Sequence, residues 1–160
     1  MGEMNHPVPS GLLAEIGDIT VSFALLESII QTLAGTLVGG NQRMGQVVTA
    51  ELPFRNLRAL TFSLYKERHG EGAGLATLRD LMNRAAVLEE KRNQIVHSVW
   101  GAGDAADTVT RIKMTAKEKY GMRFQFNQVA GRDLADVATD IKRLAADVQQ
   151  FWIDLHLPAE

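Results

Sequence analysis

Apolar residues recur at Leu12, Ile16, Ile19, Phe23, Leu26, Ile30, Leu33 and Leu37, in alternating steps of four and three. That spacing holds one row of side chains on one helix face and predicts a helix whose seam meets a partner. Gly39-Gly40 ends it. A second helical stretch runs from about Gln42 to Arg68, where Pro53 predicts a break or the start of a second piece. A glycine-rich turn, His69 to Gly74, follows. The third seam reads Leu78, Leu81, Ala85, Leu88, Arg92, Ile95 and Val99, and it predicts a helix from about Leu75 to Val99, closed by Gly101 and Gly103. The last helix, about Asp133 to Leu155, repeats the spacing at Leu134, Val137, Ile141, Leu144, Val148, Phe151 and Leu155.

Between the last two helices the period drops to two. Ile112 and Met114 alternate with Arg111 and Lys113, and Met122, Phe124 and Phe126 alternate with Arg123, Gln125 and Asn127. With a turn at Lys117–Gly121, this predicts a β-hairpin over about 108–128 with one apolar and one polar face. The fold class expected is mainly α: an antiparallel bundle of about four long helices with a β-hairpin inserted before the last. Residues 1–160 read as one domain with a loose start over 1–10, since no repeat or linker divides them.

Composition narrows the function classes. A hydrophobic share of 46% and a charged share of 22% suit a packed globular core. The net charge of −2 argues against a wholly basic nucleic-acid binder but leaves room for a local basic patch. Without cysteine there is no disulfide, thiolate metal site or cysteine nucleophile. The start, Met1-Gly-Glu-Met-Asn-His6, lacks the basic and apolar regions of a signal peptide. Glu15, Asp18 and Glu27 interrupt the apolar stretch at 12–38, so it reads as a core helix and not a membrane span. A soluble, cytoplasmic protein with no membrane partner is the expectation.

Arg92 is the one charged occupant of the three seams. A guanidinium there is costly to desolvate and calls for a carboxylate, a phosphate or polar groups of another subunit. Asn93 lies four residues before His97, so those two share a helix face, with Arg92 about 100° away. Imidazole transfers protons near neutral pH and guanidinium holds phosphate through two hydrogen bonds. Together they form a plausible phosphodiester-cleaving pair that needs no metal, and no metal ligand set or cofactor is implied.

Arg92-Asn93-Gln94-Ile95-Val96-His97 resembles the Arg-x4-His motif, with Asn after the Arg, of the HEPN (higher eukaryotes and prokaryotes nucleotide-binding) superfamily. Composition predicts only about 0.01 chance occurrences of Arg-Asn-x3-His in this chain. The resemblance implies a HEPN-like helical domain, usually a homodimer with the Arg and His of two subunits facing one another. It further implies RNA as the substrate class of a metal-independent endoribonuclease, of the kind found in toxin–antitoxin, antiviral or RNA-processing systems. An antitoxin or regulatory protein is then a possible partner. Catalysis would rest on Arg92, Asn93 and His97.

The alternative is a non-catalytic helical dimerisation or interaction module, in which Arg92 is a structural ion pair. Glu27, beside the first seam, is its natural carboxylate partner. The segment from Thr108 to Gln128 carries five basic residues (Arg111, Lys113, Lys117, Lys119 and Arg123) against Glu118, a net charge of +4. Arg111, Lys113 and Arg123 on its polar face could contact RNA phosphates, or could be a solvated strand face. His6, His69 and His156 are isolated and read as surface residues. Trp100 and Trp152 read as packing residues.

Overall fold

A computed structural model describes residues 6–119 and 121–156. Five helices and three strands follow one another: α1 (Ser10–Val38), α2 (Gln42–Thr49), α3 (Phe54–His69), α4 (Ala73–Val96), β1 (Val99–Ala102), β2 (Thr108–Lys117), β3 (Gly121–Ala130) and α5 (Gly131–His156). The protein is therefore mainly helical, with a small antiparallel sheet. Of the loose start expected over 1–10, residues 1–5 lie outside the described residues. His6–Pro9 are non-helical, although Val8 is buried.

The helical seams are where the 3.6-residue period places them. In α1, Leu12, Ile19, Phe23, Leu26, Ile30, Leu33 and Leu37 are buried, and α2, α3, α4 and α5 all pack against this helix. By length and composition α1 could cross a membrane, with a mean hydropathy of 1.6 over its most apolar window, yet its seam forms the centre of the core. Pro53 sits just before α3 and divides the second helical stretch, as its missing N–H and fixed φ require. Asn41 starts α2 by accepting a hydrogen bond from the Met44 N–H at 2.9 Å. Here α1 and α2 touch backbone to backbone: a Cβ on Gly45 would stand 2.5 Å from the Gly35 carbonyl oxygen.

Cross-contacts give the helix directions. Phe23 meets Phe54 near the start of α3, and Arg68 near its end donates to the Val38 carbonyl at 2.9 Å, so α1 and α3 run the same way. Asp18 pairs with Lys142, and Thr36 accepts from the Trp152 indole, so α5 also runs with α1. Arg58 reaches Met82 and Glu89 while Arg79 lies over Phe62, so α4 runs against α3. The short α2 is the return that lets α1 and α3 share a direction, an arrangement that four equal antiparallel helices would not have.

Three expectations are corrected. The third helix stops at Val96, not Val99, because Val99–Ala102 pair with Val109–Ile112 as a strand. The expected hairpin is therefore a three-stranded sheet of order β1-β2-β3. Its faces are also turned over. Val109 is buried, Trp100 and Val129 pack against the core, and Arg111 on the same face reaches α4. The opposite face, with Met114, Met122, Phe124 and Phe126, is exposed. Hence the apolar row of the hairpin covers no part of this chain's core.

Candidate functional site

The end of α4 is held by two side chains from beyond it. The last carbonyls of a helix lack intrahelical donors. Ser98 Oγ donates to the Gln94 carbonyl, and the Trp100 indole Nε1 donates to the Ile95 carbonyl at 3.1 Å. His97, the residue after the helix, is fixed by its own N–H to the Asn93 carbonyl at 3.1 Å and presents an exposed side chain. Trp100 is thus a packing residue that also sets the exit of the chain beside His97.

A cleft of about 600 Å³ opens between this end of α4 and β2. Glu89, Glu90, Asn93, Gln94, His97 and Ser98 line one side, and Arg111 and Lys113 the other. Beyond Ile112, β2 has no β1 partner, so its edge borders the cleft. Arg111 Nη1 donates to Gln94 Oε1 at 3.2 Å, and Gln94 Nε2 donates to Glu90 Oε1 at 3.2 Å. Gln94 therefore ties the sheet to the helix.

Arg92 does not line the cleft but is joined to it. Its Nη1 donates to Asn93 Oδ1 at 2.7 Å. Its guanidinium carbon lies 4.9 Å from the centre of the Phe23 ring, a cation–π contact at the edge of the core. Among the described residues, the buried Nε atoms of Arg92 and Arg111 have no hydrogen-bond acceptor. Donors left so are costly, roughly 1–3 kcal/mol each.

The expected pairing of Arg92 with Glu27 does not occur. Among the described residues, none of the ion pairs includes Arg92 or Glu27. The half-buried ion pair at this end of α4 is instead Arg58–Glu89, at 3.3 Å. Of the basic hairpin residues, Arg111 and Lys113 reach the cleft and Arg123 does not line it. His6, His69 and His156 are exposed and away from it, as expected.

Sequence reasoning missed Gln94 and Ser98. A signal existed, because Glu90, Gln94 and Ser98 follow one another at steps of four on the side of α4 that carries Asn93 and His97. The chemistry assembled is a general acid or base, two amides, two carboxylates, and guanidinium and ammonium groups around a shallow cleft. No family model, curated protein or solved structure matches this chain.

Proposed function

We propose that this chain is a HEPN-like, RNA-binding dimer of helical bundles that cleaves RNA without a metal ion. The observation that carries the reading is the convergence of Asn93, His97, Arg111 and Lys113 on one cleft, with Arg92 bonded to Asn93 and engaged by no carboxylate among the described residues. A phosphodiester in the cleft would meet the cations Arg111 and Lys113 on the β2 wall, across from His97 and Asn93 on α4. His97 would take the proton from the ribose 2′-hydroxyl or deliver one to the departing 5′ oxygen. The 2′ oxygen bonds to phosphorus as the P–O5′ bond breaks, which leaves a 2′,3′-cyclic phosphate and a 5′-hydroxyl. Arg92 and Asn93, with the same pair of a second copy, would carry the charge that builds on the phosphorane. The setting for such chemistry would be the cytoplasm, with an antitoxin-like or regulatory protein as a further partner.

The non-catalytic reading has its own support: Arg92 is seated over Phe23, at the core's edge and outside the cleft lining. Incubation of the pure protein with mixed-sequence RNA in EDTA separates the two. Cleavage by the wild type that falls about 100-fold or more in His97→Ala and Arg92→Ala supports the nuclease. RNA left intact by all three proteins, or cut equally by all three, overturns it.

A further inference from the structure

We infer that the outer edge of β3 pairs with the β3 of a second copy, antiparallel and centred on Gln125, to make one six-stranded sheet. Sheet order β1-β2-β3 leaves one side of β3 without a strand. Every residue from Gly121 to Gln128 is exposed, and among the described residues no element packs over that stretch of β3. Beyond Ile112, β2 and β3 project past β1 as a two-stranded ribbon, and such a ribbon is marginal in water by itself.

Isolated sheets normally blunt a free edge with proline, repeated charge or a bulge. β3 is ten residues long, holds no proline and has Arg123 as its one charge. It also carries the exposed apolar row, Met122 at 66%, Phe124 at 51% and Phe126 at 65%, beside Met114 of β2 at 58%. An RNA strand could use the aromatic rings, but it offers no ladder of amides to a strand edge. A polypeptide strand satisfies the edge and extends the apolar face together.

The second copy is the occupant whose side chains fit. A two-fold axis at Gln125 sets Phe124 opposite Phe126 of the other copy, an aromatic cross-strand pair made twice. It sets Arg123 opposite Asn127, so like charges do not face each other. Gly121 falls opposite Val129, which brings the basic turn with Lys117 and Lys119 to the other copy's α5 start. There Asp133 and Asp136 follow Arg132. Charge complementarity therefore favours this register. The pairing uses the edge remote from β1 and from the α4 end, so it leaves the His97 cleft of each copy at an outer end of the joined sheet, where a composite RNA site would use a second, separate interface. It does not depend on RNA cleavage.

The absence of cysteine from the sequence gives a clean test. Directly opposed residues in an antiparallel pair have Cα atoms about 4.5–5.5 Å apart, within disulfide range. Gln125→Cys of the full chain should therefore cross-link to itself under mild oxidation, about tenfold more than Lys113→Cys, with an unchanged circular dichroism spectrum. Wild type should sediment as a dimer or larger at high micromolar concentration. Asn127→Arg, which sets two guanidinium groups opposite one another, should weaken that association about tenfold. Equal cross-linking at positions 113 and 125, an unaffected Asn127→Arg assembly, or a wild type that stays monomeric overturns the pairing. A monomer that captures RNA or lipid vesicles through Phe124 and Phe126 overturns it as well. Loss of RNA cleavage has no bearing on these readouts, so the two proposals fail separately.

Discussion

α1 and β3 each present a regular apolar row, and their fates are opposite. In α1 the row from Leu12 to Leu37 is sealed by four other helices. In β3 the row Met122, Phe124, Phe126 stands in solvent. Both rows obey their periods, 3.6 and 2, so periodicity identifies a face in each case. It does not say whether the chain itself covers that face. A long helix in a small protein has neighbours on most sides, whereas a sheet anchored only at its base can offer either face to the core. Here Val109, Val129 and Trp100 anchor the base, and the larger apolar row is turned outward.

The contrast can be broken most severely within α1. Leu26 is fully buried, and Leu26→Ala should cost about 2–5 kcal/mol through lost burial and the cavity left behind. For a chain of this length that lowers Tm by roughly 5–15 °C in a calorimetric scan. A smaller loss is expected where α1 meets α2. Gly45→Val forces a side chain against the Gly35 backbone and should cost about 1–3 kcal/mol, again read by thermal unfolding.

Acid sharpens the same comparison more gently. Hydrogen bonds from Lys142 and Ser22 hold the Asp18 carboxyl below the usual carboxylate range. A depressed folded-state value means that the pair stabilises the fold above pH about 4 and is lost as pH falls through the lowered value. The Asp18–Lys142 pair is exposed, so Lys142→Met should cost at most about 1 kcal/mol at neutral pH. The difference from wild type should vanish in acid-unfolding curves at low pH. The smallest effect belongs to β3. Phe126→Ala, measured at a dilution where the chain is monomeric, should shift stability by less than about 0.5 kcal/mol. A loss as large as that of Leu26→Ala would mean that Phe126 is covered within one chain.

Much of this was legible in the sequence, and the parts that were not share a cause. The seams of α1, α4 and α5, the break at Pro53 and the two long strands follow from local periods and from proline's missing N–H. Val99 continued the helical spacing of α4, but a long-range partner, Ile112, drew it into a strand. Likewise Arg92 was recognisable as the misfit of its seam. That it would rest on Phe23 and Asn93 instead of Glu27 depends on side-chain directions across helices, which spacing alone does not carry. The cleft beside His97 depends on the same long-range event, because β2 forms its second wall only after the chain has turned at Ser98 and Trp100.

The most direct test of the proposed chemistry compares one RNA sequence with its 2′-O-methyl copy, each 5′-labelled and incubated with wild-type protein in EDTA. If His97 acts on a ribose 2′-hydroxyl, the RNA is cut to fragments ending in 2′,3′-cyclic phosphate and the methylated copy stays intact. Equal cutting of both strands, or no cutting of the RNA, would contradict the account.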